Sequence, residues 1–324
     1  MLTIPPLQSG GVMLTYKCDN ACRHCLYCCS PKSSDEVMSE AMIDRTMSAL
    51  AKERRLDGIH FGGGECSIFF DRLIYAIRSA VKHGVRIDYL ETNGGWCVDE
   101  RTALGGFKKL RDAGLPGVLI SASLFHLEFI PLSVTKTAIR AANKVFGGAF
   151  VWTGEMLRLM ERLPDHDKKY PLHESCRLLG IDLTDGTLWQ LHSYLNPCGR
   201  AARVLSDGLK RHLPEEFAGD ACGRTFQLTS HFHIDPHGNL FTGHCPGISV
   251  ANIENLHPTI NDEIAPFFTA LWEGGPVEAW KRHALEFDPA AGYIGKCHFC
   301  LELRKHLFEQ GRFDELRPAE MYRS

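Results

Sequence analysis

Short apolar, β-branched segments alternate with segments of helical spacing over the first two thirds of this chain. Stretches such as 38–50 and 68–81 place apolar residues at helical intervals. Six strands are predicted between such stretches, at 12–16, 58–61, 85–90, 117–121, 149–152 and 188–192. This order is typical of βαβ units, so we predict an α/β fold, a partial (β/α)6 TIM-like barrel, with functional residues after the strands' carboxyl ends. The proline-containing segment 163–185 breaks the pattern and is predicted to be an irregular excursion or lid.

The pattern changes near residue 219, where β-like segments replace the strand and helix alternation. Segments 226–234 and 239–242 flank an Asp-Pro-His-Gly sequence, which predicts a β-hairpin with a proline-initiated turn. Most of the sequence beyond the hairpin has helical character. We therefore expect two domains, the partial barrel at 1–210 and a smaller domain with a hairpin and helices at 219–324.

Cysteine is the one anomalous residue in the composition, with 13 among 324 residues. The first residues show no basic segment followed by an apolar one, and no apolar run approaches the roughly 18 residues that span a bilayer. A reducing cytoplasm is the expected location, and cysteines there favour metal binding or redox chemistry over disulfides. The net charge of −3 argues against nucleic acid and anionic membranes as partners.

Three of these cysteines lie on one short loop directly after the first predicted strand. Cys18, Cys22 and Cys25 have C-x3-C-x2-C spacing, which suits an iron-sulfur cluster or zinc. A 4Fe-4S cluster held by three cysteines leaves one iron open to a small chelating molecule. We therefore predict these three thiols as metal ligands.

Further short motifs follow the next three predicted strands. They are Gly63, Gly64 and Glu65 after the second strand, Thr92 and Asn93 after the third, and Ser121 after the fourth. Together with the cysteine loop, this ordered set resembles the radical S-adenosylmethionine (SAM) superfamily over about residues 12–210. Two features depart from the family pattern: Cys66 stands where proline often follows the Gly-Gly-Glu segment, and no adenine-contact motif is evident at the fifth strand.

The resemblance implies cofactors and roles for these residues. A 4Fe-4S cluster on the three cysteines would bind SAM at its open iron, with a reductase such as flavodoxin or ferredoxin as electron donor. The Gly-Gly-Glu backbone would meet the methionine amino group, and Ser121 the ribose or carboxylate of SAM. His24 holds a position often taken by an adenine-contacting ring, and Arg200 completes the predicted cofactor set.

Two other interpretations of these motifs remain open. Cys28 follows Cys25 at C-x2-C spacing, so a four-thiolate ferredoxin or zinc site is conceivable, and such a site would bind no SAM. The glycines at 62–64 could cradle a phosphate, but the lysine and the serine or threonine of a P-loop are missing. Roles are not assigned to the remaining thiols, which are Cys28, Cys29, Cys66, Cys97, Cys176 and Cys198.

A second set of cysteines lies in the C-terminal region, and its members are Cys222, Cys245, Cys297 and Cys300. Their layout resembles the shortened auxiliary-cluster domain of radical SAM enzymes, called twitch, rather than the longer SPASM form with about seven ligands. One auxiliary 4Fe-4S cluster is implied, with structural zinc as the alternative. The hairpin also carries His231, His233, His237 and His244, which we expect to face solvent or substrate rather than metal.

The resemblance implies reductive cleavage of SAM to a 5'-deoxyadenosyl radical that removes a hydrogen atom from a small-molecule or peptide substrate. The leading prediction is oxidation of an unactivated carbon, with the auxiliary cluster as electron acceptor or substrate ligand. Since such an oxidation needs a base, His126, Glu128 and His192 are the candidate catalytic residues. A peptide-modifying maturase that crosslinks or epimerises is the alternative, and a non-enzymatic iron-sulfur or zinc protein is a more distant one.

Overall fold

Eight strands form one open sheet in a computed structural model that describes residues 1–192, 195–289 and 292–323. The strands are β1 (Ser9–Met13), β2 (Gly58–Gly62), β3 (Ile87–Thr92), β4 (Val118–Ser121), β5 (Phe150–Trp152), β6 (Phe232–Ile234), β7 (Asn239–Phe241) and β8 (Ala251–Asn252). Their order across the sheet is β5-β4-β3-β2-β1-β6-β7-β8. The first five are mutually parallel, β6 is parallel to β1, and β7 and β8 are antiparallel to their neighbours.

Helices connect the parallel strands and cover the sheet. They are α1 (Glu40–Leu50), α2 (Phe70–His83), α3 (Glu100–Ala113), α4 (Leu124–Leu127), α5 (Leu132–Phe146), α6 (Gly154–Met160), α7 (Leu172–Leu179), α8 (Thr187–Leu191), α9 (Gly199–Val204), α10 (Gly223–Phe226), α11 (Pro266–His283) and α12 (Lys296–Glu309). Short 3-10 turns lie at Cys66–Phe69, Pro214–Phe217 and Ala319–Met321. The α/β class and the partial, unclosed barrel are therefore confirmed.

The α2 helix shows why these segments form amphipathic helices. Leu73, Ile77 and Ala80 recur at helical spacing and are fully buried, so the sheet covers one face of the helix. The helix ends where Gly84 adopts the left-handed conformation, with φ of 72°. This arrangement returns the chain directly into β3.

The predicted strand at 188–192 is wrong, because residues Thr187–Leu191 form the short helix α8. The helix begins after Gly186, which adopts the left-handed conformation with φ of 82°, and the carboxylate of Asp185 accepts a hydrogen bond from the amide of Thr187 at 2.8 Å. Five residues are too few for periodicity to separate a strand from a helix. The position beside β1 is occupied instead by β6 from the C-terminal region.

The predicted hairpin is confirmed, since β6 and β7 pair antiparallel around the Asp-Pro-His-Gly turn. The segment predicted to be irregular contains helix α7, which packs Leu172 and Cys176 into a buried cluster. The predicted boundary between residues 210 and 219 stays a prediction, and the sheet itself runs across it. Within the described ranges, no helix combines the length and the apolarity needed to cross a membrane.

Candidate functional site

One cavity of about 150 Å³ lies where the first four parallel strands end. Its walls bring together the predicted residues from all four strand ends, namely Cys18, Cys22, Cys25, the Gly63 to Glu65 segment, Thr92, Asn93 and Ser121, with His24 and His126 beside them. Asn20, Cys29 and Glu91 also line the cavity and were not predicted. These residues converge on one cavity because the carboxyl ends of parallel strands meet at one edge of a sheet.

Hydrogen bonds between backbone groups hold the conformation of the cysteine loop. The amide of Cys18 donates to the carbonyl of Ser30 at 3.2 Å, and the amide of Cys25 donates to that of Cys22 at 3.1 Å. Burial raises the pKa of the Cys18 and Cys22 thiols, whereas a hydrogen bond from Cys29 lowers that of Cys25. Thiolates are the metal ligands, so binding a metal here must release protons from the buried thiols.

The Gly-Gly-Glu segment lies directly against the chain that leads into the cysteine loop. The amide of Gly64 donates to the carbonyl of Thr15 and that of Glu65 to the carbonyl of Lys17, both at 2.8 Å. A Cβ on Gly64 would lie 1.9 Å from the Lys17 carbonyl oxygen, so a larger residue would push the two segments apart. Glycine at this position therefore keeps the two halves of the site in contact.

Glu65 is a buried carboxylate, 1% exposed, that ties the end of β2 to the end of β3. It accepts hydrogen bonds from the hydroxyl of Thr92 at 2.9 Å, the amide of Asn93 at 2.8 Å and the amide of Ser67 at 3.1 Å. The side-chain amide of Asn93 in turn donates to Asp19 at 2.6 Å. Three of the predicted cofactor residues thus hold one another in place. Alanine at position 65 would leave several donors unsatisfied, and glutamine is the milder substitution.

A histidine pair forms the side of the cavity near Ser121. The ring of His24 lies 4.9 Å from that of Phe125 and 5.1 Å from that of His126, centroid to centroid. His126 Nδ1 lies 2.8 Å from the hydroxyl oxygen of Ser123. Burial lowers the pKa of both imidazoles, that of His126 to about 4. They are therefore neutral at physiological pH and suited to stack against an uncharged ring.

The other two candidate catalytic residues lie outside the lining of the cavity. Glu128 accepts from Arg23 Nε at 3.0 Å and from the amide of Leu172 at 3.2 Å. His192 is fully buried with its ring 4.7 Å from that of Phe125. Neither side chain is among the described residues that line the cavity, and their catalytic roles stay predictions.

Arg200 hydrogen-bonds to the backbone of the cysteine loop from outside the cavity. Its guanidinium donates to the carbonyls of Cys22 and Cys28 at 2.7 Å each and of Cys29 at 2.9 Å, while its amide donates to the carbonyl of Cys25 at 3.1 Å. Its side chain also borders a second cavity of about 810 Å³. The structure therefore shows Arg200 positioning the loop that carries the predicted metal ligands.

Replacing Arg200 with methionine should lower the free energy of unfolding by about 3 kcal/mol, because three charge-assisted hydrogen bonds to carbonyls are lost together. Urea unfolding followed by circular dichroism measures this change. Arg111→Met is the matched control, since Arg111 is exposed and its guanidinium pairs with its neighbour Asp112 on the surface. Equal effects of the two substitutions would contradict a clamping role for Arg200.

The four C-terminal cysteines also come together, although only two of them are close in sequence. Cys222 precedes α10, Cys245 follows β7, and Cys297 and Cys300 share the first turns of α12. Burial raises the pKa of all four thiols, to about 12 for Cys297 and Cys300. An electrostatic contribution from Cys222 also raises the pKa of each of the other three thiols.

Sequence reasoning missed two further members of this cluster. Arg304 is 1% exposed and donates to the carbonyl of Pro246 at 2.7 Å and to the sulfur of Cys198 at 3.6 Å. The sequence signal for Arg304 was its position four residues after Cys300, which places both side chains on one face of the same helix. Cys198 packs against Leu301 and Cys297 from a distant part of the chain, and no local pattern could have placed it there. A buried cation beside four thiols suits a site whose bound form is anionic.

The remaining thiols are largely part of the packed interior. Cys66 and Cys97 belong to the main apolar core, and Cys176 belongs to the cluster around α7. The Cys66 thiol donates to the carbonyl of Gly62 at 3.0 Å. They are thus natural control positions for substitutions at the two cysteine clusters.

Comparison with known proteins gives no match to any family model and none to any curated protein. Solved structures of similar shape include BtrN in complex with AdoMet and 2-DOIA, at 14% identity and a TM-score of 0.44, over 84% of this chain and 89% of that one. Native anSMEcpe with bound AdoMet matches at 14% identity and a TM-score of 0.45, over 93% and 97% of the two chains. The same protein with AdoMet and the Cp18Cys peptide matches at 13% and 0.40, over 94% and 97%.

Proposed function

We propose that this chain is a radical SAM enzyme. The observation that carries the proposal is the cavity of about 150 Å³ onto which the C-x3-C-x2-C thiols, the Gly-Gly-Glu segment and the polar ends of β3 and β4 all open. A simple electron carrier or a zinc site needs thiols but has no use for three further strand-end motifs around them. The donor set therefore fits a cluster that shares its cavity with a second, polar ligand.

Cys18, Cys22 and Cys25 would hold a 4Fe-4S cluster through three of its irons. When bound and reduced, the cluster supplies the single electron that splits SAM into methionine and a 5'-deoxyadenosyl radical, which abstracts a hydrogen atom from substrate. Polar groups of the strand ends, with Ser121 among them, would orient SAM. Neutral His24 would lie against its adenine, and the enclosing walls would exclude water.

The C-terminal thiols Cys222, Cys245, Cys297 and Cys300 would hold one auxiliary 4Fe-4S cluster, for which zinc is the alternative metal. Such a cluster can take the electron that remains on a substrate after hydrogen-atom abstraction. With this acceptor, the net reaction that we propose is the oxidation of an unactivated carbon. A small reductase of the flavodoxin or ferredoxin kind would supply the first electron.

Anaerobically reconstituted protein mixed with SAM and dithionite should produce 5'-deoxyadenosine, measured by liquid chromatography. Cys22→Ala should reduce this product more than about 100-fold, because one missing ligand removes the SAM-binding cluster. Cys176→Ala is the matched control, as this thiol is buried outside the cavity, and it should retain the activity. If labelled SAM shows no saturable binding to the wild-type protein, the chain is instead a non-enzymatic iron-sulfur or zinc protein.

A further inference from the structure

The second cavity, of about 810 Å³, borders the cysteine loop on a different face from the first cavity. The three predicted metal ligands line the first cavity, whereas their neighbours Ala21, Tyr27 and Cys28 line the second. No described residue borders both cavities. A molecule in the second cavity would therefore touch the loop that carries the metal ligands without entering the first cavity.

One rim of the second cavity is formed by the segment 30–34, which is fixed to the cysteine loop. The carbonyl of Ser30 accepts a hydrogen bond from the amide of Cys18 at 3.2 Å. The ammonium group of Lys17 donates to the carbonyl of Ser33 at 3.3 Å. A partner that enters this cavity meets a surface that is already ordered, so binding does not have to supply the free energy of ordering it.

Cationic side chains dominate the charged lining of the second cavity. Its charged members among the described residues are Lys32, Arg200, Arg323 and one carboxylate, Glu320. Lys32 and Arg323 are exposed, and neither forms an ion pair within the described part of the chain. The first cavity has no lysine or arginine in its described lining, and the whole chain has a net charge of −3. The positive charge is therefore a local property of this cavity.

The carboxylates near the second cavity already have positive neighbours. Glu320 Oε1 accepts a hydrogen bond from His237 Nε2 at 3.1 Å. Asp35 pairs with Lys17 at 2.8 Å and does not line the cavity. Glu36 also lies outside the lining, with a carboxylate oxygen within 4.8 Å of a ring nitrogen of His237. A negatively charged partner would therefore meet the cations of the rim with little competition from carboxylates of this chain.

Electron delivery is a task that the second cavity is placed to serve. The proposed cleavage of SAM needs one electron at the cluster on the cysteine loop. In the first cavity SAM would cover the cluster, so the electron carrier has to approach the loop from another face. Ala21 and Cys28 open onto the second cavity, and Arg200 joins its wall to the carbonyl of Cys22 at 2.7 Å.

We infer that the second cavity is the docking site of the electron carrier, a small acidic protein of the flavodoxin kind. Carboxylates of the carrier pair with Lys32 and Arg323, and the exposed edge of its flavin lies against the apolar surface of Ala21 and Tyr27. Transient electron-transfer complexes bury less than about 1,200 Å² in total, so a charged rim around one recess is sufficient. In the transfer, the reduced carrier loses one electron and the cluster gains it, and no covalent bond forms or breaks.

Isothermal titration of the anaerobically reconstituted protein with oxidised flavodoxin measures docking directly. The double variant Lys32→Glu/Arg323→Glu should bind flavodoxin about tenfold more weakly, because two attractive charges become repulsive. Raising the salt concentration from about 0.05 M to about 0.3 M should weaken binding to the wild-type protein as well. Lys108→Glu/Lys109→Glu is the matched control, since it changes the net charge equally at exposed positions of α3, and it should bind like the wild type.

SAM cleavage with two reductants gives a second readout, because dithionite is a small molecule that needs no docking site. Formation of 5'-deoxyadenosine with dithionite should be the same in the wild type and in both double variants. With reduced flavodoxin, the apparent KM for flavodoxin should rise about tenfold in Lys32→Glu/Arg323→Glu and stay unchanged in the control.

The inference rests on the proposed function for the fate of the electron, but docking itself requires no SAM cleavage. It would be overturned by a wild-type protein that binds no flavodoxin, by equal binding to the two double variants, or by an equal loss of cleavage with both reductants. Inorganic phosphate that binds the wild type in place of flavodoxin would assign the cavity to a small anionic ligand instead. Flavodoxin binding with no SAM cleavage by either reductant would contradict the proposed function alone.

Discussion

Replacing Cys18, Cys22 and Cys25 together with alanine should lower the iron content after anaerobic reconstitution from about eight to about four per chain. The three thiols open onto the cavity, whereas Cys222, Cys245, Cys297 and Cys300 form a separate cluster around Arg304. Losing the first set therefore leaves the second intact. The same variant should lose all saturable binding of labelled SAM, because no open iron remains to hold it.

Iron and sulfide analysis of purified protein measures this change, with electron paramagnetic resonance of the reduced protein as a second readout. The matched control replaces the three interior thiols Cys66, Cys97 and Cys176 with alanine and should keep about eight iron. An iron content that falls from about four to near zero would mean that the C-terminal cysteines hold zinc or nothing. An unchanged iron content per chain would mean that the first cysteine loop does not bind a cluster.

The location of the first site could be predicted because it depends on local order. Each motif directly follows a strand, and parallel strands bring their carboxyl ends to one edge. Cys18, Glu65, Asn93 and Ser121 therefore reach one cavity without any knowledge of helix packing. The prediction needed only the strand positions, which periodicity supplies for buried strands.

Contacts between segments that lie far apart in the sequence could not be predicted from the order of strands and motifs. The pairing of β6 with β1 joins residues that are more than two hundred positions apart in sequence, and it alone places His233 opposite Gly11. No sequence pattern specifies that register, so the neighbours of His233 are known only from the fold. The same is true of Glu91, which lines the cavity although no sequence motif includes it.

The segment Cys198 to Arg200 physically joins the two cysteine clusters. Arg200 holds the carbonyls of the first loop, and Cys198 packs against Cys297 of the second cluster. Between them, a Cβ on Gly199 would lie 2.5 Å from the Leu26 carbonyl oxygen, so the backbones touch. Three consecutive residues thus fix the relative positions of both sites, which an electron acceptor near the substrate would require.

Replacing Cys222, Cys245, Cys297 and Cys300 together with serine should also remove about four iron per chain, while SAM binding at the first site remains. Serine hydroxyls are poor ligands for iron-sulfur clusters, and the Arg304 guanidinium would be left buried beside uncharged groups. A buried cation without its anionic partner is strongly destabilising. We therefore expect a lower thermal unfolding midpoint as well as the loss of iron.

Cys198→Ser is the control that separates ligands from neighbours. Its thiol lies 3.6 Å from Arg304 and packs against Cys297, yet four cysteines already complete a cluster, so this variant should keep about eight iron. Loss of iron in Cys198→Ser would make this thiol a ligand in place of one of the four. Release of about one zinc, with no change in iron, from the quadruple variant would instead identify a structural zinc site. The proposed oxidation would then lack its electron acceptor, since zinc has no accessible redox chemistry.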